Sequence, residues 1–129
     1  MLTSQQLCAQ AQANVKEVSV DELYDQLPQG ARVIDVREPA EYQVGHIHNA
    51  VNMPRGVLEM QLNQHPDVAG YEDALQRMAQ DPLYLICRSG GRSALAAESL
   101  ERMGFSQVFS VAGGMNAWLE KKYPQVAGE

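Results

Sequence analysis

Apolar residues fall into short runs along the chain, and turn residues and helical patterns separate these runs. The predicted strands lie at residues 18–20, 32–37, 50–53, 83–87 and 108–111. The predicted helical segments lie at residues 23–27, 39–44, 56–63, 71–80, 91–103 and 114–122. Because strands that alternate with helices form parallel sheets covered on both sides, the pattern predicts an α/β fold. We expect a central parallel sheet of about five strands flanked by helices on both faces.

Apolar faces can be assigned to three of the predicted helices. One face of the helix after residue 90 carries Ala96, Leu100 and Met103, with Gly104 as its C-terminal stop. The last helix should bury Met115, Trp118 and Leu119, and a helix near the amino terminus should carry Leu2, Leu7 and Ala11 on one side.

Composition limits the possible functions. With 129 residues the chain is long enough for one domain with a core. A net charge of −6 and the lack of a lysine or arginine run make nucleic acid and anionic membranes unexpected partners. Neither a signal peptide nor a membrane span is expected, because the amino terminus has no basic residue before Lys16 and no long apolar core.

The two cysteines, Cys8 and Cys87, lie far apart and show no zinc-binding spacing. We therefore expect neither a disulfide framework nor a metal site, and His46 with His48 lacks a nearby third ligand. Free cysteines fit a reducing compartment, with the cytoplasm as the default. Cys8 itself is expected to act as a small apolar residue, with a resolving-thiol role as the alternative.

The chemistry of the chain is concentrated where the predicted strand at 83–87 ends. Cys87 closes that strand, and parallel sheets bind ligands beyond the carboxyl ends of their strands. Gly90 and Gly91 allow several backbone N–H groups to converge on one point, and a helix begins there with its positive dipole end facing the loop. With Arg88 and Arg92 nearby, we expect a reactive Cys87 thiolate at neutral pH.

At these residues the chain resembles the rhodanese-type sulfurtransferases. The segment CRSGGRS at residues 87–93 is similar to the active-site loop of that family. Residues 33–54, from Val-Ile-Asp-Val-Arg-Glu to Asn-Met-Pro, resemble its amino-terminal signature, and residues 104–118 resemble its carboxyl-terminal signature. The resemblance implies a single rhodanese-like domain at 17–122. Residues 1–16 and 123–129 lie outside it, and we expect a helical N-terminal extension and a C-terminal tail, respectively.

The resemblance also implies a reaction in two steps. The Cys87 thiolate takes the outer sulfur of a donor such as thiosulfate or a persulfide, and a thiol or cyanide acceptor then removes it. A protein could also be the sulfur acceptor, and no cofactor is implied. The substrate-binding residues implied around the catalytic cysteine are Arg88, Ser89, Gly90, Gly91, Arg92 and Ser93.

Three residues outside the loop are candidates for a supporting role. Asp35 and Arg37 lie two apart on a strand and point the same way, so we expect a mutual or loop-directed ion pair that braces this end of the sheet. Solvated strand-end charges are the alternative. Arg55 could help to bind an anionic donor, although a surface charge is the more common role for such a residue.

Two other functions are compatible with the sequence. Cysteine phosphatases and arsenate reductases use a similar strand, loop and helix, but phosphatases place five residues between cysteine and arginine, whereas four separate Cys87 from Arg92 here. Rhodanese-like domains also occur as non-catalytic binding or scaffold modules. The nucleophile is commonly missing in those modules, and Cys87 is present in this chain.

Overall fold

The computed structural model describes residues 1–128, so Glu129 of the predicted tail lies outside the described residues. The strands are β1 (Lys16–Val18), β2 (Arg32–Asp35), β3 (Val51–Asn52), β4 (Leu83–Ile86) and β5 (Val108–Val111). The α-helices are α1 (Ser4–Asn14), α2 (Val20–Gln26), α3 (Pro39–Val44), α4 (Leu58–Gln61), α5 (Ala74–Met78), α6 (Gly91–Met103) and α7 (Gly114–Glu120). Short 3₁₀ turns follow α2 and α4, at Leu27–Gln29 and Leu62–Gln64.

The five strands form one sheet in the order β1-β5-β4-β2-β3, and every pairing is parallel. Strand β4 lies in the middle, and all four of its residues are buried. Successive side chains of a strand point to opposite faces, so Leu83 and Leu85 enter one apolar cluster while Tyr84 and Ile86 enter another. The predicted α/β architecture, with helices on both faces of a five-stranded parallel sheet, is confirmed.

Helix α6 packs on one face of the sheet and α7 on the other. Leu100 of α6 and Leu58 of α4 lie in the cluster with Leu83, whereas Trp118 of α7 and Leu23 of α2 lie in the second cluster. Each of these four helix side chains is fully buried. Both faces of β4 are therefore covered, which explains why its sequence is a continuous apolar run rather than an alternating one.

Several predicted boundaries and faces were wrong. Residues 18–20 were predicted as a short strand or a lead-in to a helix, but β1 ends at Val18 and Val20 begins α2, where the Ser19 and Glu22 side chains form a capping box. Met103 and Leu119 lie near the ends of their helices, where the packed face ends, and both are more than 40% exposed.

The amino-terminal helix agrees only in part with its predicted apolar face. Its capping box between Thr3 and Gln6 is present, yet Leu2 and Leu7 are about half exposed while Ala11 is completely buried. Helix α1 packs against α6 through this small residue, because a short side chain allows the two backbones to approach closely.

Residues after α7 fold back onto the body of the protein. The Trp118 indole Nε1 donates a hydrogen bond to the Pro124 carbonyl at 2.8 Å, and Val126 forms an antiparallel bridge with His46. Within residues 1–128, no helix has the length and apolar character needed to cross a membrane.

Candidate active site

Cys87 follows the central strand directly and faces the first turn of α6. The turn between them depends on Gly90, whose φ of +105° is a conformation that side-chain-bearing residues rarely adopt. A Cβ on Gly90 would also lie 3.3 Å from the backbone nitrogen of Gly113. The sequence places a glycine here because the chain must both reverse sharply and pack closely.

Backbone amides converge on the cysteine sulfur. The Gly90 N–H donates to Cys87 Sγ over 3.1 Å, and the Ser93 N–H donates to it over 3.4 Å. Ser93 Oγ is also 3.4 Å from Sγ. Cys87 is only 1% exposed and also belongs to the apolar cluster that contains Leu85, so polar groups of the loop and apolar side chains surround it rather than bulk water. Such an arrangement suits a sulfur atom that carries negative charge.

The amino end of α7 holds the other side of the loop. The Met115 N–H donates to the Cys87 carbonyl at 2.8 Å, and the Asn116 N–H donates to the Arg88 carbonyl at 3.0 Å. This approach requires Gly114, whose φ is +54° and whose added Cβ would lie 2.3 Å from the Cys87 carbonyl oxygen. The sequence contained this glycine within its carboxyl-terminal motif, but sequence reasoning assigned it no role.

The two loop arginines differ in their surroundings. Arg88 is exposed, as is Ser89. Arg92 instead forms a bidentate pair with Glu41 of α3, with N–O distances of 2.8 and 3.1 Å. The hydrogen bonds from Arg92 lower the pKa of Glu41 to about 2, and the same contact raises the pKa of Arg92. Arg92 therefore anchors the loop to α3, and direct anion binding by Arg92 stays a prediction.

Asp35 and Arg37 form an ion pair with each other, which is one of the two arrangements expected from the sequence. Arg37 Nε lies 2.9 Å from Asp35 Oδ1, and Arg37 Nη2 lies 2.7 Å from Asp35 Oδ2. The same Nη2 also donates to the Gly45 carbonyl at 2.7 Å, and both charged residues are buried. This pair ties the end of β2 to the turn that follows α3.

Arg55 contacts Glu59 at 3.1 Å, and Glu59 also accepts a hydrogen bond from Ser99 on α6. These contacts join α4 to α6, and a donor-binding role for Arg55 stays a prediction.

The extension contacts the loop as well. Cys8 of α1 packs against Gly91, so closely that a Cβ added to Gly91 would lie 3.0 Å from Cys8 Sγ. Gln12 of the same helix lies near Gly90, at 3.5 Å from the corresponding Cβ position. The sequence predicted a helix with Leu2, Leu7 and Ala11 on one side, but it did not indicate that this helix approaches the loop.

The structure contains a cavity away from Cys87, and the described residues form no cluster of metal-binding side chains. A cavity of about 640 Å³ opens at the amino end of β2, where Arg32, Ile47 and Trp118 help to line it, and it lies away from Cys87. Over residues 1–128, no group of three or more His, Cys, Asp or Glu side chains is arranged to hold a metal ion. His46 stacks on Tyr42 and its Nδ1 lies 2.8 Å from the Tyr42 carbonyl, so its role in the turn is structural.

Comparisons with known proteins cover most of the chain. The sequence model of the rhodanese-like domain family matches residues 19–121. "Thiosulfate sulfurtransferase 16, chloroplastic" of Arabidopsis thaliana is 38% identical over 114 residues, which span 85% of this chain and 92% of that protein. "Putative sulfur carrier protein YrkF" of Bacillus subtilis is 30% identical over 111 residues. That alignment covers 84% of this chain and 54% of the relative, so the chain spans about half of that protein's length.

A solved structure shows the same fold. The crystal structure of a rhodanese-related protein from Thermoplasma volcanium superposes with a TM-score of 0.69 at 31% sequence identity. The superposition covers 86% of this chain and 97% of that chain.

Proposed function

The chain belongs to the family of rhodanese-like domains, and from that premise we propose that it is a sulfurtransferase that uses Cys87 as its sulfur carrier. The observation that supports this most is the set of polar hydrogens around Cys87 Sγ, which the amides of Gly90 and Ser93 supply. Negative charge on this sulfur would be stabilised in the resting thiolate and again in the persulfide.

The first step would load the cysteine. The Cys87 thiolate attacks the outer sulfur of thiosulfate or of a persulfide donor, and a new S–S bond forms. The bond between that sulfur and the rest of the donor breaks, and its electron pair leaves with sulfite or with the donor thiolate. Because these leaving groups are stable anions, the step needs no general acid to protonate an amine.

The second step would return the enzyme to its starting state. A cyanide or thiol acceptor attacks the outer sulfur of the persulfide, the S–S bond to Cys87 breaks, and the thiolate is restored. Persulfidation is a reversible state of cysteine, as this cycle requires. A protein thiol could serve as acceptor in the same way, and the sulfur carrier named among the relatives supports that extension.

Among the remaining loop residues, some would bind the donor and others would hold the loop in place. Exposed Arg88 is the best placed to attract an anionic donor, with Ser89 beside it. Arg92, paired with Glu41, would fix the first turn of α6. We also propose a reducing compartment, the cytoplasm, as the site of action, because Cys8 and Cys87 are both free thiols.

Two alternatives predict different assay results. A cysteine phosphatase would cleave an aryl phosphate, and a non-catalytic module would turn over neither substrate. The four-residue spacing between Cys87 and Arg92 favours a small sulfur atom over a tetrahedral phosphate, because a shorter loop makes a narrower cradle.

The test is steady-state formation of thiocyanate from thiosulfate and cyanide, run in parallel with hydrolysis of an aryl phosphate. We expect thiocyanate formation by the wild type and its loss in Cys87→Ser, with no phosphate release by either protein. Asp25→Asn, an exposed substitution on α2, is the matched control and should keep its activity. Phosphate release without thiocyanate would overturn the proposal, and inactivity with both substrates would support a binding module.

A further inference from the structure

We propose that Ser110 is a positioning residue for Cys87, acting through the hydroxyl of Ser93. This inference rests on the proposed function, because it treats Cys87 as the nucleophile. Ser110 lies on β5, outside the active-site loop. Its position in the sheet, paired in register with Leu85 of β4, brings it beneath the first turn of α6.

A chain of three side chains connects Ser110 to the sulfur. Ser110 Oγ lies 2.8 Å from Ser93 Oγ, and Ser93 Oγ lies 3.4 Å from Cys87 Sγ. Both serines are fully buried, at 0% exposure. Within residues 1–128, the Ser110 hydroxyl has Ser93 as its sole side-chain partner. Burial prevents bulk water from substituting for either bond, so each hydroxyl depends on the next one in the chain.

The number of hydrogens shared by Ser110, Ser93 and Cys87 differs between the thiolate and the thiol state of the cysteine. With a Cys87 thiolate there are two hydroxyl hydrogens and two links, so Ser110 donates to Ser93 and Ser93 donates to the sulfur. With a Cys87 thiol there are three hydrogens for the same two links, and one hydrogen remains without an acceptor in the chain. The same surplus hydrogen would remain without Ser110, so Ser110 acts through cooperativity: its donation polarises the Ser93 hydroxyl and strengthens the hydrogen bond from Ser93 to the thiolate.

The charged groups around the sulfur are separate from this chain. Arg92 interacts electrostatically with Cys87 and is paired with Glu41, while Arg88 precedes it on the same loop. On the neighbouring strand the buried Asp35 carboxylate is paired with Arg37. None of these groups contacts the Ser110 hydroxyl, so a substitution at Ser110 changes the hydrogen bonding and leaves the charges in place.

The test is a pH titration of the Cys87 thiolate by its ultraviolet absorbance. Each protein is compared with its own Cys87→Ser counterpart, so that Cys8 and the tyrosines are subtracted. For Ser110→Ala we expect the midpoint to rise by about half a pH unit, or about threefold less thiolate below the midpoint, because the remaining hydrogen bond to sulfur weakens. Ser110→Thr keeps a hydroxyl and should restore the wild-type midpoint.

Val108→Ala is the matched control, because it removes buried atoms from the same strand without removing a hydroxyl. It should destabilise the fold in urea and leave the midpoint unchanged. An unchanged midpoint in Ser110→Ala, or an equal rise in Val108→Ala, would overturn the role of Ser110. The titration uses no sulfur donor, so a failure of the proposed sulfur transfer would appear separately, as absent thiocyanate formation with a normal Ser110 effect.

Discussion

Replacing Glu41 by glutamine tests whether the pair with Arg92 anchors the active-site loop. The substitution keeps the size of the side chain and removes its charge, so Arg92 loses an ionic partner at 2.8 Å. The pKa of Glu41 falls from an ordinary value of 4.5 to about 2 in the folded protein, chiefly because Arg92 donates hydrogen bonds to it. An ionised Glu41 therefore stabilises the folded state.

The expected loss of stability follows from the pKa shift of Glu41 and from the exposure of the Glu41 and Arg92 side chains. The shift alone would correspond to at most about 3 kcal/mol. The two side chains are 36% and 32% exposed, so solvent screens the pair and we expect about 1 kcal/mol. Because the pKa is lowered on folding, this contribution is fully present above pH 4.5 and is lost as the pH falls toward 2.

Urea unfolding followed by the fluorescence of Trp118, the sole tryptophan, measures the effect. The free energy of unfolding should be about 1 kcal/mol lower in Glu41→Gln than in the wild type at pH 7, and the difference should shrink to roughly half at pH 3. Arg92→Gln should cause a similar loss, and the double substitution should cost little more than either one. Glu72→Gln, an exposed control, should have no effect. A difference that stays constant from pH 7 to pH 3, or fully additive losses, would refute the reasoning.

Four further substitutions test contacts in and around the loop. Asp35→Asn leaves the Arg37 guanidinium buried without a counter-charge, so urea unfolding should show a loss of about 3–5 kcal/mol, and a loss below 1 kcal/mol would contradict the buried pair. Gly114→Ala should destabilise by more than about 3 kcal/mol in the same assay, because the new Cβ meets a backbone carbonyl at positive φ, and wild-type stability would be evidence against this close approach. Gly91→Ala should not raise the free energy of unfolding while Cys8 is present, although alanine has a better helix propensity than glycine. Adding Cys8→Ala should recover about 0.5–1 kcal/mol, and no recovery would show that α1 does not press on the loop.

The sequence predicted those parts of the site that lie close together along the chain. The apolar run before Cys87 and the two glycines after it specify a strand, a turn and a helix by local rules, and the structure has each of them. The boundary errors are local as well, because the predicted first strand extended across Ser19, the residue that caps α2.

The missed residues reach the loop from distant parts of the chain. Glu41 meets Arg92 across 51 positions, and Ser110 meets Ser93 across 17. No periodicity reports such contacts, although Ser110 offered one signal, a polar residue inside a strand that is otherwise apolar. The approach of α1 to the loop was missed for a related reason, since the predicted face contained Leu2, Leu7 and Ala11, and of these three only the small Ala11 is buried.

If Cys87 is held as a thiolate that accepts a sulfur atom, treatment with thiosulfate should leave a persulfide that intact-mass spectrometry detects. The wild type and Cys8→Ser should each gain the mass of one sulfur atom, and cyanide should remove it, whereas Cys87→Ser should gain nothing. A wild type that gains no sulfur, or a Cys87→Ser protein that does, would contradict the account.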